Sequence, residues 1–298
     1  MPSSLQTAWT PAHTPYLRPL PHLPAALPSD TDFLNSPDVL YTEGLHHTVV
    51  GVGKHFIVKY GPAIAEREGQ NLLFLEQQPG SSSGIPKLYA MYRSQVNGHI
   101  CLIMERMPGE TLEKLWPSLD TAQKSQICAK TRALLTTIRQ IPAGGFYGSI
   151  DGGPIAHHLL WDARRDSTIQ GPFKSEQELN IGFVKKLRGI WAMNNKHSYK
   201  ADFYERQLGR ILRDHPPVFT HTDVQKKNII VERVGAYDFK VSLVDWECAG
   251  WYPSYWEYAA IFAALEWNDE WPAWFDQIVG PWTAEAAIVR MLFQDLFF

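Results

Sequence analysis

The chain has 298 residues, 45% hydrophobic and 20% charged, enough apolar material for one large domain or a two-lobed one. Lys and Arg number 28 against 31 Asp and Glu, a net charge of −3, so the basic excess of a nucleic-acid-binding protein is missing. No apolar run approaches the ~20 residues of a membrane span, and three scattered cysteines without a CxxC pair fit a reducing compartment, so a soluble cytoplasmic protein is expected.

Residues 1–40 carry eight prolines, from Pro2 to Pro37, which interrupt any helical or strand period. This segment reads as extended, either a loose tail or a strap laid across a lobe by Trp9, Tyr16, Leu17 and Leu20. It has no basic patch leading into an apolar core, so no secretory leader is expected. A small β-rich unit follows over 41–106. Thr48–Val50 and His55–Tyr60 read as strands around the turn Gly51-Val52-Gly53-Lys54. Ala63–Gln77 has helical spacing, with Leu72, Leu73 and Leu75 on one side and Glu66, Arg67 and Gln70 polar. Tyr89–Tyr92 and His99–Met104 read as two more strands joined by Asn97-Gly98. Glu105–Gly109 then crosses into a larger helical unit over 107–298. Helices are expected there at Thr111–Leu115, Thr121–Ile141, Glu176–Asn194 and Ala201–Arg213.

The most informative stretch is His221-Thr222-Asp223-Val224-Gln225-Lys226-Lys227-Asn228, a polar loop that runs straight into the apolar strand Ile229–Val231. A return strand, Lys240–Val244, ends on Asp245. Asp223, Asn228 and Asp245 can therefore converge at neighbouring strand ends. Carboxylate and amide oxygens in such an array suit a hard cation, and a carboxylate beside a hydroxyl can accept its proton. Lys226 and Lys227 read as solvated loop charges. Lys59 stands within the apolar strand Phe56–Tyr60, where an unpaired ammonium is costly.

This constellation resembles the aminoglycoside phosphotransferase family, whose catalytic loop reads H-G-D-x-x-x-x-N and whose metal-binding Asp closes a later strand. Met104–Leu112, Gly171-Pro172-Phe173 and Asp245–Tyr258 are similar to a fungal branch of that family. The resemblance spans about residues 41–298. It implies an α+β, two-lobed protein-kinase-like fold with a small β-rich N-lobe and a larger helical C-lobe. It also implies ATP and Mg²⁺ as cofactors, with Asp223 as catalytic base, Asn228 and Asp245 as metal ligands, and Lys59 on the ATP phosphates. Glu68 is the expected partner of Lys59, with Glu66 as rival. Gly51 and Gly53 are expected to roof the phosphates, and Glu105 and Met107 to lie on the nucleotide. Thr222 replaces the usual Gly, a mild change if bulk alone matters.

The leading expectation is an ATP- and Mg²⁺-dependent kinase acting on a hydroxyl of a small molecule, without nucleic-acid or membrane partners. A nucleotide-binding pseudokinase or regulator, and a biosynthetic enzyme reusing the fold, stay open. Seven of the 11 tryptophans lie between Trp246 and Trp282. Most read as packing, but the acids and rings of Glu266–Trp271 suit a neutral-to-cationic acceptor.

Overall fold

Valine-rich alternation over residues 47–61 shapes the small lobe. In the computed structural model, which describes residues 9–80, 83–235, 237–264 and 269–297, that stretch forms two antiparallel strands of a six-stranded sheet. The strands are β1 (Tyr16–Leu17), β2 (Val39–Glu43), β3 (His47–Val52), β4 (Phe56–Gly61), β5 (Leu88–Arg93) and β6 (Ile100–Glu105), in the order β1-β5-β6-β4-β3-β2. The strand period of two sends Val50, Phe56, Val58, Cys101 and Ile103 to one face, where they pack with Phe33 of helix α1 (Asp30–Leu34). Leu88, Met91, Leu102 and Met104 turn to the other face and join Leu72 and Leu75 of α2 (Arg67–Glu76). Lys59 follows Val58 and so faces α2.

The proline-rich segment belongs to this layer. Tyr16 and Leu17 pair with Met91 and Ala90 at the sheet edge. Ser29 and Asp32 cap α1 reciprocally, and Asp30 accepts hydrogen bonds from Tyr92 Oη (2.7 Å) and from Ser94. Prolines keep the backbone extended while these side chains dock it. The small lobe's layer thus starts at Tyr16, well before residue 41.

The large lobe contains β7 (Glu110–Thr111), α3 (Leu112–Leu115), α4 (Thr121–Arg139), α5 (Ser167–Gln170), α6 (Glu176–Ala192), α7 (Tyr199–Ile211), β8 (Pro217–Thr220), β9 (Ile229–Arg233), β10 (Phe239–Leu243) and β11 (Gly250–Pro253), then α8 (Trp256–Ala264), α9 (Trp271–Phe275) and α10 (Thr283–Phe297). Asp120 caps α4 in a capping box with Gln123, and Ser175 and Ser198 cap α6 and α7. Strand β9 pairs with both β10 and β7, while β8 pairs with β11. Trp246, Trp256 and Trp271 are fully buried and Trp251 nearly so, which makes this aromatic run chiefly core. The architecture is α+β and two-lobed, with the interface between the lobes at Lys59. Among the described residues, no helix is long and apolar enough to cross a membrane.

Candidate active site

The hairpin β9–β10 places the polar residues at its open end. Leu243 pairs with Ile229, and Val244 N donates to Asn228 O (3.0 Å), so Asn228 and Asp245 are set side by side by register. The Asn228 side chain donates through Nδ2 to Asp223 Oδ2 (2.8 Å) and Asp223 O (3.0 Å), leaving its carbonyl as the atom with which it could ligate a cation. The His221 ring spans the two segments. Its Nδ1 accepts from Asp223 N (3.2 Å), so Nε2 is the protonated nitrogen, donating to Val244 O (3.0 Å).

Glu257 of α8, a residue with no role in the sequence reading, holds this loop from beneath. It is wholly buried, and its two oxygens accept from His221 N and Thr222 N at 2.8 Å each. Burial pushes its carboxyl upward, while His221 and the Arg139 guanidinium draw it back. Thr222 has φ +77°. The usual glycine is thus favoured by backbone conformation, which corrects the view that bulk alone matters. Asp245 has φ +70°, also left-handed.

Lys59 lies at the centre of three carboxylates. Its Nζ is 2.9 Å from Glu68, 2.7 Å from Asp245 and 2.8 Å from Glu247. Burial opposes its charge, but the three acids together hold its pKa far above the ordinary range. Burial raises Glu68 to about 7 against the pull of Lys59. Glu66 is the N-cap residue of α2 and is not among the ion-pair partners of Lys59. Glu247 was missed by sequence reasoning. Its signal is the D-x-E spacing after β10, although with Asp245 in the left-handed region strand alternation does not by itself bring the two acids together.

Gly51 and Gly53 lie elsewhere than expected. Val52 pairs with Phe56, and Phe56 with Glu105, so this turn stands beside the crossing segment rather than over Lys59. Arg106, paired with Asp38 at 2.6 Å and donating to Gly53 O at 3.1 Å, covers Gly51 where a side chain would otherwise project. The turn that does reach past Lys59 is Glu43–His47. Thr48 pairs with Tyr60, and Ala63 N donates to His46 O (3.0 Å). Glu105 accepts from Lys87 N through its carboxylate (3.2 Å), so its side chain turns to β5, and Met107 is half-buried in the crossing segment.

The expected acceptor patch divides. Glu266, Trp267 and Asn268 lie outside the described residues. Asp269 is paired with Lys226 and Glu270 with Lys124, while Trp271 is core. Lys226 is therefore not merely solvated. Lys227 stands 4.0 Å from Asp223 Oδ2.

The donor chemistry suits a hard cation. One oxygen each of Glu68, Asp245 and Glu247 lie within 4.8 Å of one another, and Asn228 adds an amide oxygen beside Asp245. A cavity of about 180 Å³ opens beside Glu68 and Glu247, bounded also by Arg67, Ala156 and Cys248.

Comparison with known proteins gives these elements a common frame. Among solved structures, the fold is similar to APH(2'')-IIa in a ternary complex with streptomycin and ATP, at 15% identity and TM-score 0.57, over 86% of this chain and 82% of that one. It is also similar to a thermostable variant of aminoglycoside phosphotransferase APH(4)-Ia with ADP and hygromycin B, at 13% identity and TM-score 0.59, over 90% and 92%. A third likeness is ADP-bound APH(2'')-Ib, at 13% identity and TM-score 0.56, over 85% and 79%. No curated protein gives a significant sequence match. The model of the phosphotransferase enzyme family (APH) matches residues 42–288, from the strand before the Glu43–His47 turn to α10, and takes in every side chain around Lys59 and Asp223. The chain belongs to the phosphotransferase enzyme family.

Proposed function

We propose that the protein is an ATP- and Mg²⁺-dependent kinase that phosphorylates a hydroxyl of a small molecule. The observation that carries this reading is the meeting of Lys59, Glu68, Asp223, Asn228 and Asp245, drawn from four separate segments, at one interlobe position. The acceptor hydroxyl would lie against Asp223, whose carboxylate takes its proton as the new O–P bond forms and the bond from the γ-phosphorus to the leaving ADP oxygen breaks. Lys59, held by Glu68, would present its charge to the nucleotide phosphates. His221 and Glu257 fix the loop so that Asp223 needs no rearrangement during the reaction. Magnesium, when bound by Asn228 and Asp245, would offset negative charge on the phosphates.

Two solved relatives carry streptomycin and hygromycin B. For this chain we propose only the broader class, a hydroxyl-bearing small molecule, because the acids Asp269 and Glu270 that favoured a cation are already neutralised by lysines. The test is incubation of the pure chain with Mg-ATP and pooled small-molecule extracts, followed by mass spectrometry. A product heavier by one phosphate should form with the wild type. Asp223→Asn should bind Mg-ATP as before and turn over roughly 10²–10⁴-fold more slowly. Turnover by Asp223→Asn at the parent rate, or no Mg-ATP binding by the wild type, would refute the assignment.

A further inference from the structure

Helix α2 faces the active site through Glu68 and is gripped from the opposite side by the N-terminal segment. Gln70, two residues beyond Glu68 and nearly buried, accepts at Oε1 from Ala12 N (2.8 Å) and from Trp9 Nε1 (3.2 Å). It also donates through Nε2 to Ala12 O (2.9 Å). Trp9 N donates to Ile150 O of the large lobe (2.9 Å), and the Trp9 ring meets Phe74 of α2 edge-on with centroids 5.8 Å apart. Phe74 in turn packs on Phe219 of β8 at 5.3 Å, two residues before His221. At the far end of α2, Glu76 pairs with Arg18 (2.9 Å), which also donates to Leu88 O (2.8 Å).

We propose that residues 9–18 form a strap that sets the position of α2, with Trp9 and Gln70 as positioning residues for the Lys59–Glu68 pair. The proposal rests on the phosphotransferase reading above. Its physical basis is the imbalance on α2. A helix of ten residues does not hold itself together in water. It must also keep a glutamate out of solvent, which favours any shift that returns Glu68 to water. On the inner side, Asn71 Nδ2 donates to Trp246 O (2.7 Å) and opposes that shift. On the outer side, the strap supplies an indole and three hydrogen bonds to one amide. Because Trp9 is bonded to the large lobe, the strap also ties the orientation of α2 to the relation between the lobes.

The test uses the full chain and two readouts. Hydrogen exchange of amides 67–76 reports on the helix, and basal Mg-ATP hydrolysis, with water as acceptor, reports on the phosphate site. Trp9→Ala and Gln70→Ala should speed exchange across 67–76 and leave 229–243 unchanged. They should lower the hydrolysis rate by up to about 100-fold, the range seen when remote changes misplace catalytic groups. Glu68→Gln should cost several-fold less in these backgrounds than in the wild type, because the pair is already broken. Trp9→Phe, which keeps the ring on Phe74, should recover part of the rate. If Trp9→Ala does not fold, Gln70→Ala alone decides. Unchanged exchange at 67–76, or the same cost of Glu68→Gln in every background, would overturn the strap. A wild type that hydrolyses no ATP defeats the kinase reading instead, and the exchange measurement still decides whether residues 9–18 hold α2.

Discussion

Replacing Thr222 by glycine should make the protein more stable, although the residue adjoins Asp223, the proposed base. At φ +77° an L-residue is strained by about 1–2 kcal/mol, and a β-branched one is an outlier. Its hydroxyl is buried without a hydrogen-bond partner, a loss of hydration of roughly 1–3 kcal/mol. Glycine gives up the buried Cβ and its methyl, about 0.8 kcal/mol each, and adds roughly 0.5–1 kcal/mol of chain entropy to the unfolded state. The balance favours Thr222→Gly by about 1 kcal/mol, a rise in Tm of roughly 2–4 °C in a chain approaching this size. Urea unfolding and calorimetry would measure it. Thr222→Ala separates the two causes, since it keeps an L-residue at positive φ while removing the hydroxyl together with the γ-methyl; it should gain less than glycine. Mg-ATP turnover should persist in both, because the Glu257 bonds go to backbone nitrogens. A glycine variant less stable than the parent, or an alanine variant equal to glycine, would refute the strain argument.

Asp245→Ala should weaken Mg-ATP binding by more than the roughly 10–100-fold that loss of an outer-sphere partner costs a metal site; unchanged calorimetric affinity would remove Asp245 from the metal site. Lys59→Ala and Glu68→Ala should be strongly non-additive in turnover, whereas Lys59→Ala and Glu66→Ala should add within about 0.5 kcal/mol. A double-mutant cycle with the opposite outcome would reassign the pair. Stability should also depend on Glu68. Three acids surround one ammonium, and burial raises Glu68 to about 7, so the folded state binds a proton more readily than the unfolded chain. Its contribution is complete below the ordinary glutamate range near 4.5 and is lost as pH rises through about 7. Urea midpoints between pH 5 and 8 should fall more steeply for the wild type than for Glu68→Gln; parallel curves would contradict the shift.

Elements governed by local periodicity were legible in the sequence. Strands β3–β6 alternate, α2, α4, α6 and α7 carry an apolar stripe, and the loop from His221 to Asn228 runs straight into the strand signal of Ile229–Val231. The proximity of Asp223, Asn228 and Asp245 followed from one hairpin, whose register is local. Helix α8 was not legible, because Trp256, Tyr258, Ala259, Ala260, Ile261 and Ala263 bury its whole circumference and leave no stripe. Glu257 was hidden with it, since its partners are backbone amides some 35 positions away and carry no sequence signature. The Gly51–Gly53 turn misled for a different reason. A hairpin turn is visible locally, but which end of the sheet it occupies depends on the pairing of β4 with β6, a non-local choice.

The hairpin and α2 divide the polar centre into two halves carried by separate elements of the fold. Asn228 and Asp245 ride on one β-ladder, and Lys59 and Glu68 ride on the sheet and its helix; the ion pairs of Lys59 with Asp245 and Glu247 cross between them, as does the hydrogen bond from Asn71 Nδ2 to Trp246 O. A rotation of one lobe against the other would therefore stretch the 2.7 and 2.8 Å contacts while leaving each half internally intact. The ammonium then behaves as a removable rivet. In its seated position it satisfies the acids that a cation would otherwise find bare, and the closed cleft resists collapse or repulsion. Were the lobes to part, the large-lobe half would be left as an anionic seat and the small-lobe half as a cation with one acid still attached. Under the proposed function, opening alone would convert a self-neutralised seam into two complementary faces, acids suited to a metal and an ammonium suited to phosphate.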